Sequence, residues 1–431
     1  MQWSRKPSLA AAALVCQGFL CSQPVFAGEP CCADKADPAF AALTGDWGGF
    51  RSTLKKNGVD LFADYAAEVF GNPAGGRKRG AVFNALLRLA VDVDLDKAVS
   101  WPDASLRLSG FSPHGTSGSL NNVGDASVYS SLDAYDSVRL NEFWIEQRLF
   151  DGRTALKVGQ MPVDAEFGVT DVGALFINSS YGVPSPPITP MPFAAYPVSA
   201  LGIRLKMESD RGFYGMAGVY DGNPSTGDFP DPTNGTTGSA KRRGTDWALR
   251  ASEGAFYAGE FGFRRSTGPF PATYKVGLLH HTDGFADVRK TATATHNGST
   301  SAYYVIDQTL WQKAEGSKEG VAAFVHGTLA EEKTSFMSDS LQFGAAYTGL
   351  FADEDKLGVA LARNTFSPGQ VAVVDGREYA LGRENVAELT YLIPLHSYLR
   401  VQPDLQYIHR PGGTSAYPHA WVVGVRATID F

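Results

Sequence analysis

Short runs in which apolar and polar side chains alternate recur from residue 59 to the last residue, and they restrict this chain more than any other feature. A strand turns successive side chains to opposite faces. In the closing run AWVVGVRATIDF, Trp421, Val423, Val425, Ala427, Ile429 and Phe431 share one parity. Ala420, Val422, Gly424, Arg426, Thr428 and Asp430 share the other. One face is apolar and aromatic through Phe431, while the other is mostly small or polar. That pattern suits the closing strand of an outer-membrane barrel, with lipid against one face and a wet lumen against the other.

The same reading extends upstream. Val59, Leu61, Ala63, Tyr65, Ala67 and Val69 oppose Asp60, Asp64 and Glu68. Phe83, Ala85, Leu87, Leu89, Val91 and Val93 oppose Asn84, Arg88, Asp92 and Asp94. Alternation predicts strands near 59–70, 81–96, 104–110, 138–149, 154–159, 199–207, 213–220, 254–263, 273–281, 303–311, 320–327, 341–349, 357–362, 385–393, 398–408 and 420–431. That is sixteen, an even number, as bacterial single-chain barrels require. The expected fold is all-β: a transmembrane antiparallel up-and-down barrel. Beyond the leader, no run of ~20 apolar residues offers a membrane helix. Overall hydropathy is slightly polar, which a barrel tolerates because half of each strand faces water.

The links support the count. Short ones (DKAVSWPD, FDGR, ESDRG, RRSTGPFPA, QKAEGSKE, FADEDK, PLHS) alternate with mostly longer ones at 71–80, 111–137, 160–198, 221–253, 282–302, 328–340, 363–384 and 409–419. The 160–198 link carries Pro162, Pro184, Pro186, Pro187, Pro190, Pro192 and Pro197. Proline stiffens a loop and resists strand pairing, so this link is expected to fold inward as a constriction.

Before the barrel, residues 1–27 read as a secretory leader: Arg5 and Lys6, an apolar stretch at 8–20, and small residues at Val25 and Ala27. Residues 28–58 form an extension. There Trp47, Phe50 and Leu54 fall on one helical face, with Thr44 or Asp46 to cap it and Gly58 to end it. The full chain carries −7, and losing Arg5 and Lys6 leaves about −9, which argues against a nucleic-acid partner. Cys31 and Cys32, two of the four cysteines, are adjacent and make no disulfide framework. No HExxH, GxSxG or phosphate-loop pattern is present, so no catalytic, cofactor or metal site is expected. Asp92, Asp94 and Asp96 alternate on one face and read as a hydrated acidic wall.

Three segments resemble the carbohydrate-selective porin family of the OprB type. They are LTGDWGGFRSTLKKNGVDL; NEFWIEQRLFDGRTALKVGQMPVDAEF followed by FINSSYGVPSP; and AELTYLIPLHSYLRVQPDLQYIHRPGG followed by AWVVGVRATIDF. The resemblance implies a sixteen-stranded outer-membrane barrel that passes sugars by passive diffusion, glucose-type monosaccharides favoured, without a cofactor. It implies a Gram-negative outer membrane, with both mature termini in the periplasm. The expected partners are sugars, membrane lipid, lipopolysaccharide (near Arg77, Lys78 and Arg79) and the barrel-assembly machinery through Phe431. Trimerisation is left open.

A sugar pore must exchange hydration for weak polar contacts and aromatic faces. Glu142, Trp144, Glu146 and Arg148 share one parity of their strand, with Phe143, Ile145 and Leu149 on the other. The first set is expected to face the lumen, joined by Asp164, Glu166 and Asn178 from the long link. Arg88, Arg204, Lys206, Arg400 and Asp404 are expected wall residues. For each of them a solvated wall charge is the plain alternative. A general cation-leaning porin, an outer-membrane barrel enzyme and a closed structural barrel are the competing functions.

Overall fold

The computed structural model describes residues 42–183, 194–224, 243–289 and 292–431. The leader, Cys31, Cys32 and the prolines at 184, 186, 187, 190 and 192 lie outside the described residues. Eighteen strands follow in chain order: β1 (Val59–Ala74), β2 (Gly80–Asp94), β3 (Ala104–Gly115), β4 (Arg139–Leu149), β5 (Thr154–Met161), β6 (Ala200–Glu208), β7 (Phe213–Asp221), β8 (Ala255–Arg265), β9 (Ala272–Ala286), β10 (Thr295–Gln312), β11 (Gly320–Ala330), β12 (Met337–Thr348), β13 (Lys356–Phe366), β14 (Val371–Val374), β15 (Arg377–Ala380), β16 (Arg383–His396), β17 (Leu399–His409) and β18 (Ala420–Asp430). Sixteen of them close an antiparallel barrel in which β1 pairs with β18 from Asp64↔Asp430 to Ala74↔Trp421. Closure leaves no sheet edge, so backbone groups can pair without water at membrane depth. Among the described residues no helix is long and apolar enough to cross a membrane, and the strands are the spanning elements.

The parity read from the last run holds. Trp421, Val423 and Val425 face outward, while Val422 and Arg426 are buried inside. Phe143 and Leu149 of β4 likewise point out.

Four features differ from expectation. β9 and β10 reach Ala286 and Thr295, so the link read as 282–302 shrinks to 287–294. The extension THNGSTS pairs through its backbone, and its small polar side chains hide the strand from a hydrophobic pattern. A short helix, α2 (Leu95–Val99), replaces the end of the strand drawn to 96, and Asp94 caps it by accepting from Lys97 N at 3.2 Å. Asp92, Asp94 and Asp96 therefore do not form one acidic face. The 363–384 link contains the hairpin β14–β15, turned by Asp375-Gly376 at positive φ.

The N-terminal extension does form a helix, α1 (Phe50–Lys56), after a single 3-10 turn at Trp47–Gly49. Asp46 holds it by accepting from Ser52 N at 2.7 Å and Ser52 Oγ at 2.8 Å, and Gly58 ends it at φ +85°. The helix lies against the rim. Arg51 donates to the Leu61 carbonyl (2.9 Å), and Leu43 N donates to the Asp430 carbonyl (2.8 Å).

The barrel interior is packed by its own loops. The β5–β6 loop folds inward as expected: Met161, Val163, Phe167, Ala194 and Ala195 pack on Phe256, Leu279, Phe285, Tyr303 and Val305. The β3–β4 loop also enters, which the sequence did not suggest. Val123 and Tyr129 pack with Phe70, Phe176, Tyr181, Phe324 and Ile408.

Gly159 on β5 sits at φ +138°, and an added Cβ would lie 2.3 Å from the Phe143 carbonyl oxygen and 2.7 Å from Trp144 Cα. Gly159→Ala is therefore expected to destabilise this corner by about 1–3 kcal/mol, seen as a lower melting temperature in heat-modifiability gels.

Candidate functional site

The lumen faces of β2–β6 carry a continuous charged wall, set by strand register. Asp92 lies opposite Arg107, Arg107 opposite Trp144, Glu146 opposite Lys157, and Lys157 opposite Arg204. Arg107 Nη1 donates to both Asp92 oxygens at 3.0 Å, and its Nε donates to Glu142 at 2.8 Å. Glu142 also accepts from Ser109 Oγ (2.8 Å) and the Trp144 indole N–H (3.1 Å). Arg204 bridges two carboxylates: Nη2 donates to Glu146 at 2.6 Å, and Nε donates to Glu166 at 2.5 Å. Lys157 pairs with Glu166, stands 3.7 Å from Glu146, and lies 4.0 Å above the Trp144 ring. Arg148 stands 3.9 Å from Glu146. Burial pushes the Glu166 carboxyl up, but Lys157 and Arg204 outweigh it and hold it down at about 2.

The structure thus gathers Glu142, Trp144, Glu146, Arg148, Glu166 and Arg204 into one site, and adds Arg107 and Lys157. Both additions were legible. Arg107 stands between Leu106 and Leu108, and Lys157 between Leu156 and Val158, so each had to point inward.

The remaining expected residues lie elsewhere. Arg88 forms a two-pronged pair with Asp64 at 2.7 and 2.6 Å, on the same wall. Lys206, beside Glu208 at 2.5 Å, lies near the short-turn end of β6. Arg400 pairs with Asp430 at 2.9 Å at the short-turn end of β17. Asp404 is buried on the opposite wall and accepts from Gln406 Nε2 at 2.9 Å. Asp164 and Asn178 brace the β5–β6 loop. Asp164 accepts from Tyr196 N (3.0 Å), with burial pushing its carboxyl up to about 7. Asn178 donates to Gln406 at 3.1 Å and accepts from Ser180 N (3.0 Å) and Oγ (2.7 Å).

Wall carboxylates hold the inward loops by main-chain N–H groups. Glu388 accepts from Ile177 N (2.6 Å) and Asn178 N (3.0 Å). Asp307 accepts from Thr170 Oγ1 (2.5 Å), Asp171 N (3.1 Å) and Val172 N (3.2 Å). Glu260 accepts from Gly168 N at 2.7 Å. Glu384 accepts from Ala126 N (2.8 Å), Ser127 N (2.7 Å) and Gly412 N (2.6 Å).

The β3–β4 loop holds a buried acid of its own. Asp133 accepts from Ser117 Oγ (2.8 Å) and Ser119 N (3.3 Å). Burial and nearby Glu68 push it up to about 7, and Glu68 is itself engaged by Arg426 at 2.8 Å. A docked loop therefore keeps a proton that a released loop gives up above pH ~4. Docking is strongest below that value and weakens as pH rises toward 7. Open-channel noise is expected to grow between pH ~4 and ~7, and Asp133→Asn to flatten that dependence in single-channel recordings.

Together, a closed barrel, lipid-facing apolar bands and a charged wall narrowed by inward loops define a diffusion channel of the outer membrane. The profile described as "Carbohydrate-selective porin, OprB family" matches residues 78–431, and the chain belongs to that family. Among its relatives, Porin B of Pseudomonas aeruginosa is 25% identical over 440 residues, covering 93% of each chain. A putative porin QuiX of Acinetobacter baylyi is 24% identical over 421 residues, covering 90% of this chain and 93% of that one. A solved high-pH structure of Pseudomonas putida OprB superposes with a TM-score of 0.79 at 24% identity, over 91% of this chain and 98% of that one, which supports the fold.

Proposed function

We propose that this carbohydrate porin favours small neutral sugars of the glucose type over ions, with Glu142, Trp144, Glu146, Arg148, Glu166 and Arg204 in contact with the permeant. The observation that carries this reading is charge compensation: Arg88, Arg107, Lys157, Arg204, Arg148 and Lys206 each stand against a carboxylate. Such a wall offers fixed donors and acceptors to hydroxyl groups but little net field to attract an ion. Family and fold point to a channel rather than an enzyme.

The short-turn end and the mature termini face the periplasm in this reading, and the long-loop end faces outward. Exposed Lys78 and Arg79 at that outer end suit lipopolysaccharide phosphate, whereas Arg77 is turned to the Leu120 carbonyl and the Tyr417 ring. Recognition of the Phe431 strand by the assembly machinery, and a trimer, are further parts of the proposal.

The test is conductance in planar bilayers with added glucose. Concentration-dependent block is expected, with Glu142→Ala raising the half-blocking concentration about tenfold, the equivalent of ~1.4 kcal/mol. A general cation-leaning porin would show no sugar block and a reversal potential near that of the cation.

A further inference from the structure

Trp144 stands among the charged residues of the β4–β6 wall, and its ring is already covered. It packs against the apolar cluster of Met161, Val163 and Phe167, and its indole N–H donates to Glu142 at 3.1 Å. The Lys157 ammonium lies 4.0 Å from the ring centroid. A cation this close to an indole is held by the ring quadrupole, most strongly where water is scarce. Lys157 is buried and Trp144 partly so.

Lys157 is not the only donor to its acidic neighbours. Glu166 keeps two contacts to Arg204, at 2.5 and 3.1 Å, and Glu146 keeps the Arg204 contact at 2.6 Å. Four groups surround the ammonium: Glu166, Glu146, Arg204 and the Trp144 ring. Arg204 alone hydrogen-bonds both carboxylates, and Lys157 supplies the second positive charge that balances them. Beyond that charge, the lysine adds a cover over the ring.

We propose that Lys157 is a specificity-determining shield: its ammonium occupies the Trp144 face on which the C–H face of a sugar would stack, and so keeps sugar binding weak. This rests on the sugar-channel reading above. A permeant must swing the lysine aside before it meets the indole, so residence is short. A pore needs such weakness, because a tightly bound solute stops conduction. The shield also makes a bare cation unwelcome at the ring, since that place is filled.

The test compares native channel, Lys157→Met, Lys157→Arg, Trp144→Phe and the double variant Lys157→Met/Trp144→Ala. Methionine keeps the length of the side chain and removes the charge, and heat-modifiable gel migration confirms that each barrel is folded. Lys157→Met is expected to lower the half-blocking glucose concentration by about threefold or more, within the range that a lost cation–π contact converts to. Lys157→Arg, which restores a cation over the ring, should return the native value, and the double variant should lose the gain. Weaker block in Lys157→Met would show that the lysine itself holds the sugar, and an unchanged block would show that it covers nothing; either overturns the proposal.

A second readout needs no sugar. The fluorescence difference between native and Trp144→Phe isolates Trp144, and neutral acrylamide should quench that component more strongly once Lys157→Met is introduced in both backgrounds. Equal quenching overturns the shield. Stronger quenching in a native channel that glucose never blocks would instead retain the cover and sink the sugar reading.

Discussion

Replacing Arg204 with methionine is expected to make the channel strongly cation-selective and to remove most of its glucose block. Arg204 donates to Glu146 at 2.6 Å and to Glu166 at 2.5 and 3.1 Å, and all three side chains are largely buried. Its loss leaves two carboxylates to share Lys157. Breaking a buried pair costs about 3–5 kcal/mol, and water in the lumen brings this site to the lower end of that range. The barrel can still close, because its backbone pairing does not involve these groups. The uncompensated charge instead appears in the permeation path, where low-dielectric walls focus its field. In a tenfold salt gradient the reversal potential should move most of the way to the potassium limit. Arg204→Lys separates charge from geometry. It keeps the cation but not the planar fork that serves two carboxylates, so ion selectivity should stay near native while the half-blocking glucose concentration rises. An unmoved reversal potential in Arg204→Met would show that Arg204 lies off the conduction path.

The parity of the wall was readable because a membrane barrel enforces it: Trp421, Val423 and Val425 must meet lipid, and Arg426 must not. Glu142, Trp144, Glu146 and Arg148 were found in the same way, and Arg107 and Lys157 obey the same rule. The upper part of β10 was hidden because Asn297, Ser299 and Thr300 carry no hydrophobic contrast, although their backbones pair with β9 on either side of a register shift between Asn297 and Ser299. α2 was hidden because Asp92, Asp94 and Asp96 mimic alternation across a helix cap. The Asp375-Gly376 turn flanked by Val371–Val374 and Arg377–Ala380 was legible as a hairpin and overlooked. The inward course of the β3–β4 loop was not legible. Ser127, Ser130 and Ser131 look like an exposed polar loop, and their burial depends on Glu384, Glu68 and Arg426, which are remote in sequence. The clamps on the β5–β6 loop were hidden for a deeper reason. Glu388 and Asp307 bind mainly backbone N–H groups, so the loop residues they hold carry no side-chain signature.

Those clamps carry the second large prediction. Glu388→Ala combined with Asp307→Ala is expected to raise single-channel conductance several-fold and to erase discrimination between glucose and larger sugars. Each hydrogen bond to a charged group contributes about 1.5–3 kcal/mol, and the two acids together accept five such bonds from residues 170–178. The loop would retain its apolar contacts through Phe176, Ile177 and Tyr181, so it should become mobile rather than leave the barrel. Glu260, which accepts from Gly168 N, would still hold its near end beside Glu166. The charged wall of β4–β6 therefore stays intact while the opposite boundary of the pore retreats. Ion selectivity should change little, and the limiting size in a liposome swelling series should increase. Glutamine and asparagine at the two positions keep the oxygen acceptor without its charge, so that pair should fall between the native channel and the alanine variant. An unchanged conductance in the alanine pair would mean that the apolar contacts alone seat the loop and that the wall carboxylates are ornaments of its packing.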